Sequence, residues 1–215
     1  NAAHLTSIML ACVETPLGMK SAFARRQPNA IVIGPGYGLD RAIQEMVGAL
    51  LEAAPRATLV LDADALTTFR NDPSVLFEML AKSETRVILT PHEGEFARLF
   101  PHLADNASLS KAQKAVAAAR RSGGVVVYKG SDTIIAAPDG RVMQNTNGSP
   151  YLATAGSGDV LAGLIVGLAA QGMTQFDAAC AAVWIHAETA SRFGVGLIAE
   201  DLPGLLPPLL RELLG

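Results

Sequence analysis

The sequence predicts an α/β fold: a mostly parallel central sheet covered by helices on both faces, with an antiparallel hairpin late in the chain. Three observations carry that expectation. Short, continuously apolar runs alternate with amphipathic stretches, each of the first four apolar runs ends in glycine or polar residues, and Asp139-Gly140 stands between two further apolar runs. A strand that is apolar at every position suits a sheet buried on both sides, as parallel sheets are.

The elements follow in order. Residues 30–33 (AIVI) read as a strand ending in Gly34-Pro35-Gly36-Tyr37-Gly38, and a helical pattern covers 41–53. Residues 58–61 (TLVL) end in Asp62-Ala63-Asp64, after which Leu66 and Phe69 open another helical stretch. Residues 87–89 end in Thr90-Pro91-His92-Glu93-Gly94-Glu95 and lead into an apolar helix start at Phe96. An amphipathic helix over 110–122 precedes the strand 125–128, which ends in Lys129-Gly130. Residues 133–137 and 141–144 flank Pro138-Asp139-Gly140, a hairpin signal. Val160, Leu161, Leu164, Ile165 and Leu168 mark a helix behind Gly158, followed by an alanine-rich helix over 177–193 and a leucine-rich one over 202–214. With no internal repeat and no low-complexity linker, residues 1–215 are expected to form a single domain.

Composition narrows the function. Half of the residues are hydrophobic and 17% charged, which excludes a disordered chain. A net charge of -3 without basic clusters argues against a nucleic-acid partner. The apolar stretch 161–170 is too short to span a bilayer, so no membrane partner is expected. Cys12 and Cys180 imply neither a disulfide framework nor a metal site, which suits a reducing cytoplasm. Cys180 sits in an alanine-rich run and reads as a small buried hydrophobe.

Gly156-Ser157-Gly158-Asp159, running straight into a helix, carries the most chemistry. Glycines let the backbone approach a ligand closely, and the first N–H groups of the helix are unpaired where its dipole favours an anion. Asp159 either complements that dipole or takes a proton from a hydroxyl that attacks a bound phosphoryl group. Four more polar clusters fall at successive strand ends, where open parallel sheets bind ligands. Gly36 and Gly38 make a tight turn or line a site. Asp62 is expected to face a ligand, and Asp64 to cap the next helix. His92 starts a helix whose first turn holds Glu93 and Glu95, and no second histidine or cysteine stands at metal-ligand spacing. Lys129, Gly130, Ser131, Asp132 and Thr133 read as a solvated strand end or as a clasp for nucleotide phosphates.

The GSGD core, the Asn145-Thr146 and Gly148 upstream, the DVLAGLI run downstream, and the GPGYG, LVLDADAL, TPHEGE and KGSDT elements together resemble ribokinase-like enzymes. Within that superfamily they are most similar to the NAD(P)H-hydrate dehydratases. The resemblance implies a three-layer α/β/α ribokinase-like fold and a lyase that uses ADP or ATP, with Mg2+, to restore NADH or NADPH from their hydrates. It implies substrate contacts at Gly36, Gly38, Asp62, His92 and Asp159, with Asp159 as catalytic base. It places the adenine nucleotide at Lys129, Gly130, Ser131, Asp132, Thr133 and Gly158, and an anion hole at Gly156, Ser157 and Gly158. No protein residue is assigned to a metal. The likeness runs from about Pro28 to about Gly172. Ser149, Tyr151, Ala155 and Ser157 depart from the family's usual residues, with Tyr151 the change that alters the rim of the site. Asn1 to Gln27 lack the glycine-rich strand–helix–strand unit that members begin with, so the chain is expected to be truncated or cleaved at its start. A homo-oligomer is expected, because apolar helices such as the one over 178–185 offer an interface. A ribokinase-like kinase of a vitamin-precursor alcohol, or a non-catalytic nucleotide-binding remnant, are the alternatives.

Overall fold

A computed structural model of the chain describes residues 8–13 and 15–215. In chain order it contains α1 (Pro16–Arg25), β1 (Ala30–Ile33), α2 (Arg41–Ala53), β2 (Thr58–Leu61), α3 (Asp64–Thr67), α4 (Pro73–Ala81), β3 (Arg86–Leu89), α5 (Glu93–Leu99) and α6 (Pro101–Ala104). There follow α7 (Lys111–Ser122), β4 (Val125–Tyr128), β5 (Ile134–Ala136), β6 (Val142–Gln144), α8 (Ser157–Ala170), α9 (Gln175–Phe193) and α10 (Leu202–Leu214). The sheet has six strands in the order β1-β2-β3-β4-β5-β6. The first four run parallel, and β5 and β6 complete an antiparallel hairpin.

Alternate side chains of each strand serve two different cores. Leu59, Leu61, Leu89, Val126 and Tyr128 face one layer of helices, among them α2, α4, α5 and α7. Val60, Ile88, Val125, Val127 and Ile135 face α8 and α9. That division is why the strands read as unbroken apolar runs rather than alternating ones. It also establishes the expected three-layer α/β/α architecture. Phe96 stacks on Tyr128 with ring centroids 3.9 Å apart, fixing α5 against the end of β4.

Register sets the position of the loops. Ile33 lies opposite Leu61, Leu61 opposite Leu89, and Leu89 opposite Val126. The four parallel strands therefore end at one edge, and their backbone pairing continues past the last strand residues. Asp62 N donates to Ile33 O at 3.2 Å, Thr90 N to Leu61 O at 3.1 Å, and Lys129 N to Pro91 O at 2.9 Å.

Two expectations need correction. The helical stretch opening at Leu66 is two helices, because Asp72 caps α4 by accepting from Ser74 N at 3.1 Å and Pro73 occupies its first position. Asp64 caps nothing; it is the first residue of α3, whose N-cap is Ala63. The expectation for Asn1 to Gln27 falls partly on residues 1–7 and 14, which lie outside the described residues. Residues 8–13 carry no helix or strand, and α1 follows. Among the described residues no helix is long and apolar enough to cross a membrane.

Candidate active site

The loop after β1 is shaped by glycine. Gly34, Gly36 and Gly38 have φ of 128°, 62° and 101°. A Cβ on Gly34 would lie 1.7 Å from the Asp62 carbonyl oxygen, so no other residue lets β1 exit against β2. Gly38 N donates to Asp64 Oδ2 at 2.8 Å, which ties this loop to the next. Ala63, between the two aspartates, is held at φ 46°, a conformation that a side chain resists.

Beside it lies a buried charge cluster. Asp62 is 1% exposed, and its Oδ1 accepts from Thr90 Oγ1 at 2.6 Å and from Lys129 Nζ at 2.8 Å. Glu95 is buried on the same side. Burial raises its carboxyl above the ordinary value, against the hydrogen bond from the His92 backbone and the charge of Lys129, while Asp62 adds to the rise. His92 caps α5: its Nδ1 accepts from Gly94 N at 3.0 Å and Glu95 N at 3.3 Å, and its backbone N donates to Glu95 Oε2 at 2.9 Å. With Nδ1 an acceptor, the ring proton sits on Nε2, 3.6 Å from Glu95 Oε1. Tyr128 OH donates to Glu93 Oε1 at 2.6 Å.

A cavity of about 460 Å³ opens between the loop after β4, the start of α8 and the middle of α9. Lys129, Gly130, Ser131 and Thr133 line one side, and Ser157 and Gly158 another. Thr133 Oγ1 accepts from Gly130 N at 3.2 Å and donates to Gly130 O at 2.9 Å, closing the loop on itself. A Cβ on Gly148 would come within 2.5 Å of Ser131 O, so the segment after β6 packs directly on that loop. Lys129 Nζ lies 3.6 Å from where a Gly158 Cβ would stand. An ammonium and a helix N-terminus thus converge on one cavity wall, and both favour an anion. Ser157 Oγ is occupied, donating to Leu152 O at 2.7 Å. Gly156 enters the helix with φ 83°.

Of the residues singled out in the sequence, Lys129, Gly130, Ser131, Thr133, Ser157 and Gly158 share this cavity. Asp132 does not line it; its carboxylate pairs with Lys111 Nζ at 2.6 Å, which holds it below the usual carboxylate range. Gly36, Gly38, Asp62 and His92 stand at the neighbouring strand ends, outside the cavity lining, and the Asp62–Lys129 pair joins the two regions. Asp159 is exposed in the first turn of α8, one residue beyond Gly158. Thr90 and Glu95 belong to the TPHEGE element, where neither carries an assigned ligand contact, and His186 lies in no motif. His186 has a signal in retrospect: Ala182, Val183, Thr189 and Ala190 surround it at helical spacing and are all buried. Among the described residues no group of three or more His, Cys, Asp or Glu is placed to hold a metal ion.

Comparison with known proteins decides the family. The sequence profile of the NAD(P)H-hydrate dehydratases matches residues 1–208. The chain belongs to the NAD(P)H-hydrate dehydratase family. It is 39% identical over 207 residues to an ADP-dependent (S)-NAD(P)H-hydrate dehydratase of Neisseria meningitidis, covering 93% of this chain and 68% of that protein. It is 45% identical over 190 residues to a bifunctional NAD(P)H-hydrate repair enzyme of Gloeobacter violaceus, covering 86% of this chain and 35% of that protein. Among solved structures, the Bacillus subtilis ADP/ATP-dependent NAD(P)H-hydrate dehydratase co-crystallised with ATP/Mg2+ superposes with a TM-score of 0.74 at 32% identity, over 86% of this chain and 64% of that one. A ribokinase-like superfamily protein of Enterococcus faecalis gives 0.70 at 28% identity, over 86% of this chain and 63% of that one. The dehydratase fold here is therefore ribokinase-like, and the chain spans between about a third and two thirds of these relatives' lengths.

Proposed function

We propose that the chain is a lyase that dehydrates hydrated NADH or NADPH at the expense of ADP or ATP, restoring the reduced cofactor. The observation that carries this reading is the convergence of Lys129 and the α8 N-terminus on one cavity, with the Asp159 carboxylate one residue past Gly158.

The nucleotide's phosphates are assigned to Lys129, the loop 130–133 and the amides of Gly156, Ser157 and Gly158. The hydrated nicotinamide ring is assigned to the strand-end side, with Gly36, Gly38, Asp62 and His92. Asp159 takes the proton from the ring hydroxyl as that oxygen attacks the terminal phosphorus, and the bond to the nucleotide's bridging oxygen breaks. Lys129 and the helix amides meet the charge that builds on the transferring group. The ring C–O bond then breaks, phosphate leaves with its electron pair, and the ring gives up a proton to close the double bond. The balance is one hydrate and one ADP to one reduced cofactor, AMP and phosphate, or ADP and phosphate when ATP is used.

The donor set fits magnesium carried by the nucleotide. Asp62 is committed to Thr90 and Lys129, so phosphate oxygens and water would hold the ion, which neutralises phosphate charge when bound. The proposal places the protein in the cytoplasm. It also includes a homo-oligomer, supported by Trp184 and Phe193, which stay 38% and 42% exposed on α9.

The test incubates the protein with hydrated NADH, magnesium and ADP or ATP and follows the return of the dihydronicotinamide absorbance. Recovery that requires nucleotide supports the reading. Nucleotide consumption without recovery would assign a kinase instead.

A further inference from the structure

Among the described residues, the buried side-chain polar atoms without a hydrogen-bond partner are Asn147 Oδ1, Ser149 Oγ and His186 Nε2. They are not scattered. Ser149 and His186 line the cavity, and the Asn147 amide donates to Trp184 O at 3.1 Å, two residues before His186 on α9. Folded proteins leave few such atoms unpaired, so two of them, Ser149 Oγ and His186 Nε2, on the lining of one cavity mark a place that a bound molecule completes.

Their chemistry selects the molecule. His186 is 5% exposed, and burial pushes its imidazole down to about 4, against a hydrogen bond to the Ser157 backbone and with the Lys129 charge adding to the fall. The ring is neutral near pH 7. Nε2 is the nitrogen without a partner, so we assign the ring proton to Nδ1, on the side of the Ser157 backbone. Nε2 is then an acceptor only, and Ser149 Oγ can act either way. The set calls for a ligand rich in hydrogen-bond donors. An ionised phosphate offers none, whereas a nucleoside offers ribose hydroxyls and the exocyclic amine of adenine. Leu161 and Val183 give the same cavity an apolar wall, and its volume far exceeds that of a water molecule.

We propose that His186 Nε2, with Ser149 Oγ, recognises hydrogen-donating groups on the nucleoside half of the nucleotide. His186 is thereby a specificity residue, standing next to the Lys129 and Ser157 groups that meet the phosphates. The proposal rests on the reading of this cavity as the nucleotide site.

Calorimetric titration of the whole chain with ADP, 2′-deoxy-ADP, 3′-deoxy-ADP, inosine diphosphate and inorganic pyrophosphate tests it. One neutral hydrogen bond predicts that at least one nucleotide analogue binds about 3- to 10-fold more weakly than ADP. His186→Ala should lose the same factor for ADP, lose nothing further for that analogue, and leave pyrophosphate binding unchanged. His186→Gln, which keeps an acceptor, should retain part of the difference. The identity of the weakened analogue separates a ribose hydroxyl from the base amine. Equal binding of every nucleotide by the unaltered protein would overturn the proposal, as would a His186→Ala loss that is uniform across all ligands including pyrophosphate. Absence of any ADP binding would instead overturn the assignment of the cavity.

Discussion

Replacing Asp62 with Ala removes the one oxygen on which Thr90 and Lys129 both converge, at 2.6 and 2.8 Å. The Asp62 side chain is 2% exposed and that of Lys129 18%, so the ammonium loses its counter-charge with little water to replace it. Removing one partner of a buried pair costs about 3–5 kcal/mol, and the partial exposure of Lys129 places the expected loss near the lower end, about 3 kcal/mol. Removing both charges should cost less than the sum. Asp62→Ala with Lys129→Met is expected to show a favourable coupling of about 1–2 kcal/mol in a double-mutant cycle. Urea unfolding monitored by far-UV circular dichroism measures it, with the midpoint of Asp62→Ala falling by about 1–2 M at a typical slope for a chain of this size. A loss under about 1 kcal/mol, or strictly additive single losses, would refute the claim that this pair is a buried, mutually dependent unit.

Further outcomes follow from the same geometry. Asp159→Asn should keep nucleotide affinity and lose about 10²- to 10⁴-fold in turnover, and turnover near that of the parent protein would remove its role as base. Lys129→Ala and Thr133→Ala should weaken nucleotide binding more than hydrate binding in separate titrations, the first through charge and the second because Thr133 closes the loop on Gly130; equal losses for both ligands would count against the assignment. The folded value of His186, about 4, lies below the ordinary 6.5. Its contribution to stability is therefore fully present above pH 6.5 and is lost as pH falls towards 4, by about 3 kcal/mol in all. Urea midpoints at pH 7 and pH 4.5 should converge in His186→Gln relative to the parent protein, and an unchanged pH dependence would contradict the buried neutral imidazole.

Much of the framework was legible because its strands are covered on both faces. Residues 30–33, 58–61 and 125–128 stand out as uninterrupted apolar runs, and each is a strand over those residues. The glycine-rich exit of β1 was equally readable, since Gly34 passes so close to the Asp62 carbonyl that a Cβ has no room, and Gly36 and Gly38 take positive φ. What the sequence hid is where side chains reach across loops. Nothing in Asp62-Ala63-Asp64 says that the first carboxylate turns inward to Lys129 while the second crosses to Gly38 N. The apolar spacing from Leu66 onward runs through the Asp72-Pro73 break and masks the start of α4. His92 follows a familiar arrangement with an unusual residue: Glu95 stands at the third helical position of a capping box, but an imidazole takes the place of a hydroxyl or carboxylate. His186 becomes meaningful only when α9 is laid against the loop after β6 and the start of α8, a contact made across many residues of chain.

The most direct test of a nucleotide-driven dehydration at this cleft is to quantify free phosphate and reduced cofactor together in one reaction with hydrated NADH, magnesium and ADP. One phosphate and one AMP are predicted for each NADH restored, with no phosphorylated nicotinamide nucleotide accumulating. AMP formed without free phosphate and without NADH, the phosphoryl group remaining on the organic product, would contradict it.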